Sequence, residues 1–471
     1  MTNWIPDLSS SDSGPLYQRL ADRIESDIDV GALPAGSKLP PQRDLAFDIG
    51  TTVGTVGRAY SLLRERGLVS GEVGRGTYIL ARQAGAAIAE VYQPSPVEGT
   101  RALGASPGKL RFDSTAAPFV GQSEVLSGML AAVGRELGTE VASYASDFPD
   151  RWFEAGARWL GRNGFRPAPD SIVPTLGVHA GVMAAITAVT APGDLIAFEH
   201  LSYAQIPRGT VLAGRRPILV HSDDQGLDPD DFEHVCAQRH PKAIFLMPAA
   251  HNPTAVSMPL ERREAVARIA REYNVLLIED DLYGHMSDYP APLLAELAPE
   301  RTITVGGLSK SVAAGMRGGW LTCPPSLRHR IRVAHKLLAG GMPFLLPEVS
   351  ARLVLSGEAE RIRQRSIAEV NARLDLARAA LDGYDFNACP NIPFVWLRLP
   401  DPWLSGTFKN AAAKAGILID DEDEFKVARS EKVFHRVRLG LSKPRRQEVA
   451  DGLAIIRRLL EEGDAGYASF D

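Results

Sequence analysis

Lys310 stands in the run Gly306-Gly307-Leu308-Ser309-Lys310-Ser311, directly after an apolar stretch, with Gly315, Arg317 and Gly319 just downstream. An amine at the end of a strand can condense with an aldehyde to a Schiff base. The arginine seven positions on is placed to hold an anionic group of the same ligand. Two other polar clusters also follow apolar runs: Pro248-Ala249-Ala250-His251-Asn252-Pro253-Thr254, and Glu279-Asp280-Asp281-Leu282-Tyr283. A pyridine-ring cofactor needs an acid at its ring nitrogen, donors at its phenolic oxygen and an amine for its aldehyde. Asp280, Asn252 with Tyr283, and Lys310 supply these in turn. Cys236, Cys323 and Cys389 lie far apart and form no metal-ligand spacing, so no metal site is expected.

The elements that must position these groups can be read from the apolar runs Leu195-Ile196-Ala197-Phe198, Ile218-Leu219-Val220, Ala243-Ile244-Phe245-Leu246-Met247, Val275-Leu276-Leu277-Ile278 and Thr302-Ile303-Thr304-Val305. Between the third and fourth, Val266, Ile269, Ala270 and Tyr273 mark a helix face. Alternation of this kind predicts an α/β domain, here residues 114–471, with a mostly parallel sheet sandwiched by helices. Ligands in such sheets sit at the carboxyl ends of the strands, which is where the three polar clusters fall. Residues 81–113 are rich in Ala, Gly, Pro and Ser, lack periodicity, and read as a tether.

Residues 12–80 have a different pattern. Leu16, Leu20, Ile24 and Ile28 form one helix face. A second helix is expected from Pro41, with Leu45 and Ala46 inward. A third, capped by Thr51 or Thr52, carries Val53, Val56, Tyr60 and Leu63 on its apolar face and Thr52, Thr55 and Arg58 on the other. Two short strands with a Gly74-Arg75-Gly76 tip follow. Three helices and a β-wing predict a winged helix-turn-helix, whose third helix reads the major groove of double-stranded DNA. Residues 14–80 carry eight basic and eight acidic side chains, but Lys38, Arg43, Arg58 and Arg75 fall on the expected DNA side.

The whole chain has 471 residues, formal net charge −5 and 23% charged residues. That is room for two or three domains, with no global positive field, so any DNA contact must come from a local patch. The first residues show no basic region followed by an apolar run, and no apolar stretch approaches a membrane span, so the expectation is a cytoplasmic protein without membrane partners.

The string Lys38-Leu39-Pro40-Pro41-Gln42-Arg43-Asp44-Leu45-Ala46, with Thr55-Val56-Gly57-Arg58-Ala59-Tyr60 and Gly74-Arg75-Gly76-Thr77, resembles the GntR-type winged helix. Residues 114–471 resemble the fold-type-I, class I aminotransferases, which implies a smaller C-terminal α/β subdomain and pyridoxal 5′-phosphate as cofactor. The resemblance implies that Lys310 carries the cofactor as a Schiff base, Asp280 pairs with its ring nitrogen, and Asn252 and Tyr283 bond its phenolic oxygen. Tyr203 would stack on the ring, and Arg317, Ser309 and the Gly177-Val178-His179 turn would hold the phosphate. Tyr144 would reach the phosphate of a neighbouring subunit. Arg438, in Val437-Arg438-Leu439-Gly440, would clamp an effector's carboxylate. The family usually has Ser or Thr where Gly307 and Val178 stand, which throws phosphate binding onto Arg317, Ser309 and backbone donors.

The fusion resembles the MocR subfamily of regulators. It implies a head-to-tail homodimer that binds an operator and senses an amino-group, amino acid-like effector by exchange at Lys310, without physiological turnover. A working aminotransferase and a regulator that senses pyridoxal phosphate itself remain open alternatives.

Overall fold

The computed structural model describes residues 4–6, 15–34, 36–66, 68–72, 76–80, 108–144, 147–428 and 432–462. They fall into two compact units, one within residues 1–95 and the other within 96–471.

The smaller unit is built from α1 (Leu16–Asp29), α2 (Gln42–Asp48) and α3 (Val53–Glu65), followed by β1 (Val69–Glu72) and β2 (Gly76–Ile79). Leu20 and Ile24 of α1, Leu45 of α2, and Val56, Tyr60 and Leu63 of α3 close on one core with Leu68, Val69 and Ile79. The Tyr60 hydroxyl donates to the Pro40 carbonyl at 2.8 Å, which ties α3 to the start of α2. Thr52 is the N-cap of α3: its hydroxyl accepts the Thr55 N–H at 3.2 Å. Two expectations need correcting. Pro41 sits at the N-cap, one residue before α2 begins. Leu16 and Val53 are 37% and 45% exposed, because each opens its helix and the core is reached only one turn later, at Leu20 and Val56. β1 and β2 pair antiparallel, with Val69 opposite Ile79 and Glu72 opposite Gly76. The wing tip, including Arg75, lies outside the described residues.

The larger unit holds a seven-stranded sheet: β3 (Ile172–Leu176), β4 (Leu195–Glu199), β5 (Arg216–Val220), β6 (Ala243–Leu246), β7 (Leu276–Asp280), β8 (Thr302–Gly307) and β9 (Gly318–Thr322). Their spatial order is β3-β9-β8-β7-β6-β4-β5. β9 runs antiparallel to both neighbours, and the remaining pairings are parallel. Alternate residues serve opposite faces, as the pleat requires. Phe245 and Ile278 pack with Val182 and Ile186 of the Gly177–Val189 helix. Ile244 and Leu277 pack with Val266 and Ile269 on the other side. Both faces are thus covered, which is why the strands read as continuous apolar runs.

A second, antiparallel sheet lies toward the C-terminus: β10 (Phe386–Ala388), β11 (Phe394–Arg398), β12 (Asp420–Asp421) and β13 (Arg436–Gly440), in the order β10-β11-β13-β12. The tether assigned to 81–113 is shorter at its C-terminal end. Leu110–Arg111 pairs in parallel with Ile417–Leu418, and Phe112 is fully buried in the core of this subdomain. The small-residue composition around Gly108 hid a strand only two residues long. Among the described residues, no helix is long and apolar enough to cross a membrane.

Candidate cofactor and effector site

A cavity of about 250 Å³ opens in the larger unit, and Val178, His179, Tyr203, Asn252, Asp280, Tyr283, Ser309, Lys310, Arg317 and Arg438 all line it. The sheet brings these groups together, since each follows a strand's carboxyl end or sits on β13. Three consecutive carboxylates stand at the end of β7, Glu279 and Asp280 within it and Asp281 just beyond, and alternation sorts them. Glu279 accepts from the Thr304 hydroxyl and the Leu294 N–H, and Asp281 takes both arms of Arg162. Asp280 points the other way, into the cavity, with one oxygen accepting the Leu282 N–H at 3.0 Å. Burial pushes the Asp280 carboxyl up to about 7, against the lowering effect of Lys310. Such a group is matched to a cationic ring nitrogen, which would hold it ionised.

Lys310 Nζ donates to the Thr115 hydroxyl at 3.0 Å, and the Tyr283 hydroxyl donates to the same oxygen at 2.8 Å. Thr115 is buried and was missed in the sequence, because it lies 195 residues before Lys310 and belongs to no motif. Burial raises the Tyr283 phenol to about 12, so it stays a donor. The Tyr203 ring stands edge-on to His179 with centroids 6.5 Å apart.

Where the phosphate is expected, Gly177 opens a helix with φ +78, a conformation that suits glycine. Arg317 is also in the left-handed region, at φ 50. Its guanidinium is exposed and has no carboxylate partner among the described residues. His179 Nδ1 is buried and lacks a hydrogen-bond partner among those residues, while burial and the Arg317 charge keep the ring neutral by lowering its pKa. The absent hydroxyl at Gly307 has a steric cause. A Cβ there would lie 2.6 Å from the Gly318 carbonyl oxygen, and Val178 takes the space beside it.

Arg438 lies at the opposite end and is nearly fully buried. Its Nη1 donates to Asn252 Oδ1 at 2.6 Å and its Nη2 to Asp420 Oδ2 at 2.5 Å. The guanidinium carbon is 4.7 Å from the Phe425 ring centroid. The arginine expected to await a carboxylate is therefore already paired with one. Tyr144 is 99% exposed and does not line this chain's cavity.

In the smaller unit, Lys38, Arg43, Thr52 and Arg58 are exposed and Thr55 is half-buried. Thr52 caps α3, Thr55 lies in its first turn, and Arg58 projects on the side away from Val56 and Tyr60. The Lys38 amine lies 5.7 Å from the Tyr78 ring centroid.

Comparison with known proteins agrees with both units. The model of the family "Aminotransferase class I and II" matches residues 142–453, and that of "Bacterial regulatory proteins, gntR family" matches residues 16–79. The chain belongs to the class I and II aminotransferase family. With a GntR-type module in front, it has the MocR architecture. It is 28% identical over 462 residues to the Bacillus subtilis "Uncharacterized HTH-type transcriptional regulator YdeF", covering 98% of this chain and 97% of the relative. It is 29% identical to YjiR of Escherichia coli, also described as an uncharacterized HTH-type transcriptional regulator, covering 76% of this chain and 80% of the relative. Among solved structures, the kynurenine aminotransferase of Pyrococcus horikoshii superposes with a TM-score of 0.70 at 21% identity, covering 80% of this chain and 98% of that one.

The cofactor of this MocR-type chain is pyridoxal 5′-phosphate, and the residues fit it. Lys310 can carry the aldehyde, the buried Asp280 suits a protonated ring nitrogen, and the orphaned His179 Nδ1 with Arg317 suits a phosphate.

Proposed function

We propose that the chain is a DNA-binding transcriptional regulator that reads a primary amine through pyridoxal 5′-phosphate held at Lys310. The observation that carries this reading is one chain with two equipped sites: a cavity with Lys310, Asp280 and Arg317 on its wall, and a GntR-type module with Thr52 and Thr55 at the start of α3 and an exposed Arg58 one turn on. When bound, the cofactor supplies an aldehyde carbon that exchanges one amine for another, without redox change, so an effector's amine can take the place of Lys310 Nζ. In this reading Asp280 holds the ring-nitrogen proton, Asn252 and Tyr283 bond the phenolic oxygen, Tyr203 packs on the ring, and Arg317, Ser309, His179 and the N–H groups at Gly177 and Val178 hold the phosphate. The released Lys310 amine has Thr115 as its acceptor. Relatives whose names include the words "HTH-type transcriptional regulator", TauR of Rhodobacter capsulatus among them at 25% identity, support the regulatory reading over an enzymatic one.

The amine influences DNA affinity only to the extent that it binds one arrangement of the protein better than another. The reading includes a head-to-tail homodimer in which Tyr144 reaches the partner's phosphate, and Arg75 as a wing contact to DNA.

The test uses the full-length, cofactor-loaded protein and a DNA fragment that it selects from a random pool. Adding the right primary amine is expected to change DNA affinity by about 5- to 150-fold, the range of ordinary allosteric coupling. Keto acid should not accumulate beyond the amount of protein present. Sustained keto-acid release with unchanged DNA affinity would make the chain an aminotransferase.

A further inference from the structure

The cavity's effector end is already neutralised. Asp420 is fully buried and sits directly across the sheet from Arg438, on the neighbouring strand, as its register partner. The pair is therefore set by the backbone ladder and does not depend on a long side chain finding its place. Asn252 takes the other terminal nitrogen of Arg438, so both ends of the guanidinium fork carry protein acceptors. Arg111, the cavity's other arginine at this end, donates from Nε and Nη2 to the two oxygens of Asp113. Glu424 on the same wall accepts from Arg208 at 3.0 Å. Lys310 and Arg317 serve the cofactor's aldehyde and phosphate.

A carboxylate entering here would meet arginines whose charge is already balanced by Asp420 and Asp113, with only the buried Nε of Arg438 lacking an acceptor among the described residues. It would either add a second negative charge beside the buried Asp420 or compete with Asp420 for Arg438. Both are costly in a site shielded from water.

We propose that Asp420 sets the effector class: the ligand that exchanges at Lys310 is a primary amine whose amine-bearing carbon carries no carboxylate. This rests on the amine-sensing function above and narrows it. Asp420 acts through Arg438 as a specificity-determining residue, and Arg438 serves as a neutral, aromatic-backed wall for the ligand's body.

The probes are matched pairs that differ by one carboxylate: leucine against 3-methylbutylamine, and phenylalanine against 2-phenylethylamine. Each is titrated into the full-length, cofactor-loaded protein, and half-saturation is read from the visible absorbance of the cofactor and, separately, from the heat of binding. The carboxylate-free member should half-saturate at a concentration at least about tenfold lower in at least one pair. In Asp420→Asn, which leaves Arg438 without its counter-charge, the preference should swing toward the amino acid. If that variant fails to load cofactor, the wild-type comparison still decides. Tighter binding of the amino acid in both pairs, or an Asp420→Asn ratio equal to wild type, overturns the role of Asp420 and leaves the amine-sensing function standing. No response to any amine, with or without a carboxylate, overturns that function and this proposal together.

Discussion

Thr115 is the shared acceptor of Lys310 and Tyr283, so its removal should be felt by both. Thr115→Val leaves a buried tyrosine hydroxyl unpaired in the cofactor-free protein, at a cost of about 1–3 kcal/mol. In the proposed function the loaded protein offers that hydroxyl the cofactor's phenolic oxygen. The variant's melting temperature should therefore fall in the cofactor-free protein and recover most of the difference on loading. Asp280 gives a pH-dependent counterpart. Its carboxyl is raised to about 7 in the cofactor-free fold, whereas the unfolded chain loses that proton near pH 4. Between those values the folded state holds a proton that the unfolded state has lost. The stability this group contributes is thus complete below about pH 4 and is lost as the pH rises through 7. Asp280→Asn cannot ionise. Cofactor-free variant and wild type should melt alike near pH 4, and the variant should gain on wild type by on the order of 4 kcal/mol by pH 8. Denaturant titrations at the two pH values check this. An unchanged difference between them would mean that Asp280 is not buried as described.

Strands and their register explain what could be read from the sequence and what could not. The parallel sheet was legible because both of its faces are covered, so β4, β6 and β7 appear as largely apolar runs, and β8 as apolar residues alternating with threonine, whose ends mark the site. That rule, with the chemistry a pyridine-ring cofactor needs, singled out Asp280, Asn252 and Lys310, which line one cavity. Asp420 was not, because its meeting with Arg438 depends on two strands pairing across the intervening residues, and no local pattern encodes that register. Thr115 and Phe112 were hidden in the same way, behind a segment whose composition resembles a tether. Gly307 looked like a lost hydroxyl. The structure explains the glycine by the close approach of β9, whose Gly318 carbonyl occupies the place of a side chain. Gly307→Ser, although it restores the residue type usual in the family, should therefore destabilise the protein by about 1–3 kcal/mol and leave cofactor affinity no tighter. Thermal melts and cofactor titration check both halves of that statement. At α3 the cap carries the element: Thr52→Ala should cost about 1 kcal/mol, read from denaturant unfolding of the full chain by a probe in the smaller unit.

The whole chain carries a formal charge of −5, so its DNA affinity must come from a local basic patch and be sensitive to salt. Arg43 and Arg58 are both exposed on the smaller unit. If Arg58 contacts phosphate, Arg58→Ala should weaken binding and flatten the dependence of log affinity on log salt by about one charge. In the proposed function the two units are joined through Lys310: the only energy an amine can send to the DNA module is the difference between the protein with Lys310 engaged and with Lys310 released. The most direct test is the DNA affinity of Lys310→Ala beside wild type, in excess pyridoxal 5′-phosphate, with and without an amine that shifts the wild-type affinity. The variant should still bind DNA, with an affinity that no longer depends on the amine. An amine-dependent shift in Lys310→Ala as large as in wild type would contradict this.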